Sequence, residues 1–111
     1  MTMTTEVKQH DLEPPLTLYV EDAGQLADLR GVGSWRVVGK MRGVLVLDVV
    51  PTVTVDPTDH WKATLVHVWQ AGETSTLGDL RVEAEAMWPG ARPQTFPGSG
   101  YVTVRFVADL G

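Results

Sequence analysis

The feature that most restricts the fold of this chain is an alternation of apolar and polar residues with a period of two. The segment 81–88 reads RVEAEAMW and the segment 101–106 reads YVTVRF, and each has an apolar residue at every second position. Successive side chains of a strand point to opposite faces of a sheet, whereas a surface helix repeats its apolar residues every three or four positions. Both segments are therefore predicted to be half-buried strands, although alanine and glutamate in the first favour a helix locally.

Other segments show strand patterns of the same kind. They are LTLYVED at 16–22, SWRVVGKMRG at 34–43, VLVLDVV at 44–50, TVTV at 52–55 and KATLVHVWQ at 62–70. Turn-forming residues separate them at intervals of roughly 8–12 residues, which is typical of a β-sandwich. We predict an all-β fold, an Ig-like antiparallel β-sandwich of about seven strands. A single domain is expected over residues 14–111, preceded by a polar arm at 1–13 that is flexible or contacts another subunit.

Three local features of these strands give sharper expectations. Gly39, in the middle of its strand, indicates a bulge or a close approach of the backbone to a neighbour. The run at 44–50 is apolar on both faces, so it is predicted to be a central or doubly covered strand. The connection at 88–101 contains three prolines and three glycines, and is predicted to be one rigid hairpin connection, with Phe96 covering the end of the core.

The composition excludes several classes of function. The 111 residues carry a net charge of −5 and include no cysteine. A negative chain is a poor match for nucleic acid or anionic lipid, so neither partner is expected. Thiol nucleophiles, zinc–thiolate sites and disulfides are ruled out. The longest apolar run is too short to span a bilayer, and residues 1–12 lack the apolar centre of a secretory signal, so we expect a soluble chain.

Few residues offer catalytic or metal-binding chemistry. Asp56 and His60 in the segment DPTDHW form a conceivable metal site, but turn residues of this kind more often cap the backbone. His10 lies in the polar arm, and His67 lies within a strand, where burial or an interface is the expected role. No serine lies in a nucleophile elbow; Ser99 stands between glycines in a turn.

Charged side chains on the strands also have an ordinary interpretation. Glu83 and Glu85 share one face of a strand and are separated by about 7 Å, a spacing that some glycosidases use. Arg81 lies on the same face, and a solvated charged face is the favoured interpretation. The basic stripe of Arg36, Lys40 and Arg42 is interpreted in the same way. We predict a protein that is not an enzyme, with no catalytic residue, cofactor or metal.

The tryptophans suggest where an interface lies. Trp35 and Trp88 are in phase with apolar neighbours and are predicted to be core residues. Trp61 and Trp69 lie at the two ends of one predicted strand that is apolar on both faces, which leaves surplus hydrophobic surface. The candidate interface residues are Trp61, His67, Trp69, Phe96 and Tyr101.

In order and spacing, three groups of residues resemble the amino-terminal β-sandwich domain of tailed-bacteriophage baseplate upper proteins. The first is Pro14, Pro15 and Leu16, and the second is Asp28, Leu29, Gly31 and Val32. The third comprises Trp69, Ala71, Gly72, Gly78, Ala84, Glu85, Gly90, Thr95, Phe96, Pro97, Gly100, Tyr101 and Val104. The similarity covers nearly the whole chain from Asp11 onward. It departs from the family in lacking a glycine before the first group and in ending directly after the sandwich.

The resemblance implies a structural component of a tailed-phage virion, assembled in the host cytoplasm. Because baseplate upper proteins continue into a stalk, a chain that ends after the sandwich is expected to be a small connector of the tail, baseplate or neck. Its expected partners are further copies of itself and other virion proteins. A capsid decoration protein is one alternative. A carbohydrate-binding module that stacks sugars on Trp61 or Trp69 is another, and glycan contact is compatible with either virion role.

Overall fold

The computed structural model describes residues 3–96 and 102–108, and this part of the chain consists of strands with one short 3-10 turn at Leu29–Gly31. The strands are β1 Met3–Lys8, β2 Leu16–Glu21, β3 Ser34–Met41, β4 Val44–Val49, β5 Thr52–Val55, β6 Lys62–His67, β7 Gly78–Trp88, β8 Arg92–Phe96 and β9 Val102–Val107. No helix in the described residues has the length and apolar character needed to cross a membrane.

The strands form two sheets. The larger, six-stranded sheet has the order β1-β9-β7-β3-β4, with β8 also paired to β7. The smaller sheet has three strands in the order β2-β6-β5. β3 occupies one edge of β7, so β8 and β9 share its other edge, β8 beside residues 84–88 and β9 beside residues 78–82. All pairings are antiparallel except β1–β9, which is parallel.

The core lies between the two sheets. The alternation predicted from the sequence places every second residue of β7, from Leu80 to Ala86, at 2% exposure or less. These residues belong to one cluster with Leu65 of the smaller sheet. Burying a side chain of this size contributes about 1.5–3 kcal/mol, so the facing layers supply the main stabilisation. The prediction of an all-β sandwich is confirmed, and Trp35 and Trp88 lie in or against the core as expected.

The predicted arm contains a strand. Residues 3–8 form β1 and pair in register with β9, placing Val7 beside Phe106. Val7 is buried, whereas the three residues before it are exposed. Among residues 4–8 the buried apolar residue is Val7, and one such residue gives no alternation to detect, which is why the sequence pattern predicted a flexible or subunit-contacting arm.

The apolar run at 44–50 is also placed differently from the prediction. It forms β4, at the edge of the larger sheet, where Val44, Leu45 and Val46 are largely exposed and Leu47 is buried. An exposed apolar edge strand and a strand buried on both faces can have the same composition, so the sequence pattern alone does not distinguish them. By contrast, the bulge predicted at Gly39 is confirmed, because the β3–β4 register shifts between Gly39 and Lys40.

The connection between β7 and β9 contains a strand of its own. Gly90 and Ala91 adopt positive φ values of 82° and 57° in a tight turn, after which β8 pairs with β7. The prediction of one long hairpin connection is therefore wrong for residues 92–96. Pro93 lies within β8, where a proline is tolerated because β8 pairs with one neighbour only. Residues 97–101 lie outside the described part of the chain.

Candidate assembly surface

Two of the predicted interface residues are buried: His67 at the end of β6, and Trp69 just after that strand. Trp69 is 1% exposed; it contacts Phe106 edge-on, with ring centroids 5.5 Å apart, and donates a hydrogen bond from Nε1 to the Pro14 carbonyl at 3.1 Å. His67 is 9% exposed, and its Nε2 lies 2.8 Å from Oε1 of Glu73. In the described structure these two side chains hold the sandwich together and face away from solvent, so they offer no surface to a partner in this conformation.

The contacts of Trp69 belong to a wider attachment of residues 9–14 to the loop after β6. Gln9 donates from Nε2 to the Ser75 carbonyl at 2.6 Å, and the backbone N–H of His10 donates to the Thr74 carbonyl at 3.2 Å. The Glu13–Pro14 bond is cis. The tryptophan predicted to contact a partner instead fixes the beginning of its own chain.

The remaining predicted interface residues are Phe96, Trp61 and Tyr101. Phe96 is buried at 3% exposure and packs on Trp35 with ring centroids 5.8 Å apart, so it belongs to the core as its predicted covering role requires. Trp61 is half-buried, with the Lys62 ammonium 4.6 Å from its ring centroid. Tyr101 lies outside the described residues. Of the five, Trp61 is the one whose described position still offers ring surface to a ligand.

The turn at 56–61 has the capping role predicted for it. Asp56 accepts backbone hydrogen bonds from Thr58 and Asp59 at 2.9 and 2.8 Å, and these bonds lower the pKa of its carboxyl group. His60 Nε2 lies 3.2 Å from the Pro57 carbonyl. Over residues 3–96 and 102–108, no group of three or more acidic or histidine side chains is arranged to hold a metal ion.

The outer face of the larger sheet carries a ladder of ion pairs. Arg36 binds Asp48 through two bonds of 2.8 and 2.6 Å and approaches Glu85 at 3.5 Å. Hydrogen bonding to Arg36 lowers the pKa of Asp48. All three side chains are 40–48% exposed, so solvent screens these pairs and they contribute little to stability. One cation shared by two carboxylates leaves this cluster with one uncompensated negative charge.

A shallow groove of about 800 Å³ adjoins that ladder. Its charged lining residues are Lys40, Arg42, Asp79, Arg81 and Glu83. Asp79 also pairs with Arg105 at 2.8 Å, and this contact lowers the pKa of the Asp79 carboxyl group. Three cations and two carboxylates line the groove, so it is a mixed-charge surface. Neither a pair of isolated carboxylates nor a single-sign patch is formed by these side chains.

The largest run of exposed apolar side chains lies along β4 and just after it. Val44, Leu45, Val46 and Val50 are 63%, 51%, 54% and 79% exposed; we call these four residues the β4 patch. Among the described strands β4 pairs only with β3, so within that part of the chain its other edge presents unpaired backbone groups. An exposed, apolar edge strand of this kind is a site for pairing with another chain.

The sequence did contain a signal for this surface. Arg42 and Gly43, with φ values of 50° and 79°, form the tight turn that joins β3 to β4. A two-residue turn makes β4 the hairpin neighbour of β3, and the proline at 51 ends it. The sequence pattern does not show whether another strand pairs with the far edge of β4, and this decides whether the apolar run at 44–50 is covered.

Comparison with known proteins adds no relative: no protein-family model matches the chain, and the search of curated proteins finds no match.

Proposed function

We propose that this protein is a non-enzymatic structural component of a tailed-phage virion, a connector of the tail, baseplate or neck that assembles through protein–protein contacts. The observation that supports assembly is the β4 patch. Edge strands of monomeric proteins are commonly protected by charge, proline or a covering loop. Here an edge strand begins with three exposed apolar residues, which is what an interaction surface requires and what an isolated protein avoids.

The remaining support comes from the sequence and from the character of the surface. The motifs from Pro14 to Val104 resemble the sandwich domain of phage baseplate upper proteins, and the all-β sandwich is the architecture that this resemblance implies. Arg36, Asp48, Glu85, Asp79 and Arg105 form ion pairs with one another, and Asp56 caps a turn. A net charge of −5 favours solubility at the high local concentration of an assembling particle. Its partners in this proposal are further copies of the chain and other virion proteins.

A capsid decoration protein is the nearest alternative, because it needs the same rigid sandwich and the same assembly contacts. The carbohydrate-binding alternative now depends on Trp61, since the ring of Trp69 is buried. Tyr19, on the smaller sheet, is 75% exposed and adds a second aromatic surface. Binding on a glycan array that is lost in Trp61→Ala would favour that alternative.

The proposal is tested on particles. Virions from a phage that encodes this chain are purified by density-gradient banding, and the chain is quantified by mass spectrometry relative to the major capsid and tail-tube proteins. We expect a fixed copy number per particle and defective tails or necks in a deletion strain. Complete, infectious particles that lack the chain would contradict the proposed function. Electron microscopy with labelled antibody then separates a tail or neck position from a capsid position.

A further inference from the structure

We propose that the β4 edge binds a second copy of this chain. The two β4 strands pair antiparallel about a twofold axis at Leu45 and join the larger sheets of the two copies. This inference rests on the proposed function in one respect: it specifies the first contact of the assembly. It goes beyond the proposed function by naming the partner, the strand and the register of the contact.

The edge itself is open to such pairing. Residues 44–46 are apolar and exposed, and the β3–β4 bulge adds Val46 to this strand. The opposite edge of the same sheet is different. β1 there exposes Thr4, Glu6 and Lys8 and has no exposed apolar side chain among residues 4–8, so it offers no apolar contact to a second strand. Of these two edges of the larger sheet, β4 is the one suited to extension.

The charges beside β4 favour a second copy in one register. Arg42 lies in the turn that precedes β4, and Asp48 lies near the other end of the strand, two ladder positions beyond Leu45 because Val46 is the extra residue of the bulge. Antiparallel pairing centred on Leu45 reverses one strand relative to the other, so it brings the Arg42 turn of each copy toward the Asp48 end of the other. The contact is self-complementary, as a twofold interface requires.

The receiving end of each contact has the charge that Arg42 needs. Asp48 belongs to the cluster with Arg36 and Glu85, in which two carboxylates share one cation. The guanidinium of the partner's Arg42 neutralises that cluster. A parallel pairing would place Arg42 beside Arg42 and Asp48 beside Asp48, and like charges directly opposite are destabilising. Pairing of β4 with the polar edge of β1 is also disfavoured, because it would leave Val44 and Val46 without apolar partners.

The first experiment compares two valines that are equally exposed. Val46 and Val68 are 54% and 55% exposed, and Val68 lies after β6 on the smaller sheet. We expect size-exclusion chromatography with light scattering to find a dimer for the wild type and for Val68→Lys. Val46→Lys is expected to weaken the dimer by tenfold or more while keeping the wild-type circular dichroism spectrum. A wild-type dimer that Val46→Lys leaves intact would overturn the proposal.

The second experiment tests the register and does not depend on a destabilising charge. Because the chain has no cysteine, Leu45→Cys introduces a single thiol, which the proposed axis places directly opposite its copy. Opposed residues in antiparallel strands have Cα atoms about 4.5 or 5.5 Å apart, and a disulfide accepts either distance. We expect rapid disulfide dimers on mild oxidation. Val50→Cys is the control: its thiol is more exposed, but its copy lies on the order of 30 Å away along the paired strands, so it should cross-link only slowly.

The outcomes separate this inference from the proposed function. A wild-type chain that stays monomeric at millimolar concentration, or Leu45→Cys cross-linking no faster than Val50→Cys, would overturn β4–β4 pairing. Either result would leave a virion role through other partners standing. Conversely, a β4-paired dimer that is absent from purified particles would support the pairing and contradict the virion role.

Discussion

Replacing Trp69 distinguishes its observed core role from the interface role that the sequence suggested. Its ring is 1% exposed and contacts Phe106 and His67 edge-on, with centroids 5.5 and 5.7 Å away. Truncating a buried tryptophan to alanine costs about 3–5 kcal/mol. The lost Nε1–H also leaves the Pro14 carbonyl without its donor, which moves the expected cost to the upper part of that range. A domain of this size has about 5–15 kcal/mol in total, so Trp69→Ala should be severely destabilised.

The assay is urea unfolding followed by far-ultraviolet circular dichroism, because tryptophan fluorescence would change with the substitution itself. With a slope of about 2 kcal/mol per molar urea, a loss of about 4 kcal/mol lowers the midpoint by about 2 M. Trp61→Ala is the matched control. Its ring is half-buried and its described polar contact is the Lys62 ammonium, so the expected loss is about 1 kcal/mol. If Trp69→Ala lost less than about 1 kcal/mol, or no more than Trp61→Ala, the core assignment would be refuted.

Three further changes have expected outcomes. Gly39→Ala should cost about 1–3 kcal/mol in urea unfolding, because an added Cβ would lie 2.8 Å from Cδ1 of Leu80; the additional variant Leu80→Ala should recover part of that loss, and additive costs would argue against the clash. Thr74→Val should stabilise the fold by about 1 kcal/mol in thermal melts, since Oγ1 is buried with no hydrogen-bond partner in the described structure; destabilisation would indicate a bond that Thr74 makes in solution. Hydrogen bonding to Arg30 lowers the pKa of Asp28 from 3.8 to about 2, so its stabilising contribution is present above about pH 4 and is lost as the pH falls through 2; carboxyl NMR titration should show this pKa rising in Arg30→Gln, and an unchanged pKa would contradict the assigned cause.

The strands that could be predicted are those that bury one face. β7 is the clearest example, since its alternation from Leu80 to Ala86 overrode the local helix preference of alanine and glutamate. The bulge at Gly39 was predicted for the same kind of reason, because a residue without a side chain in a packed strand marks a close neighbour. The observed neighbours are Leu80 and Leu47.

The features that were missed depend on what lies beside a strand rather than on its own residues. β1 is added to the sheet by β9, which follows it by nearly a hundred residues, and its polar sequence gives no sign of that pairing. The prediction that β4 is covered on both faces was wrong, because the composition of a strand does not indicate its position in the strand order. Trp69 was assigned to an interface because its strand is apolar on both faces, but the hydrogen bond to Pro14 that places it inside joins residues 55 positions apart.

Amide hydrogen exchange of β4 tests the proposed assembly surface most directly. The exchange of residues 44–49 is followed by mass spectrometry in the wild type and in Val46→Lys at one concentration at which the wild type is fully assembled. We predict slower exchange in β4 of the wild type only, with the β1 edge exchanging alike in both proteins. Equal exchange of β4 in the two proteins, or wild-type protection confined to β1, would contradict assembly through the β4 edge.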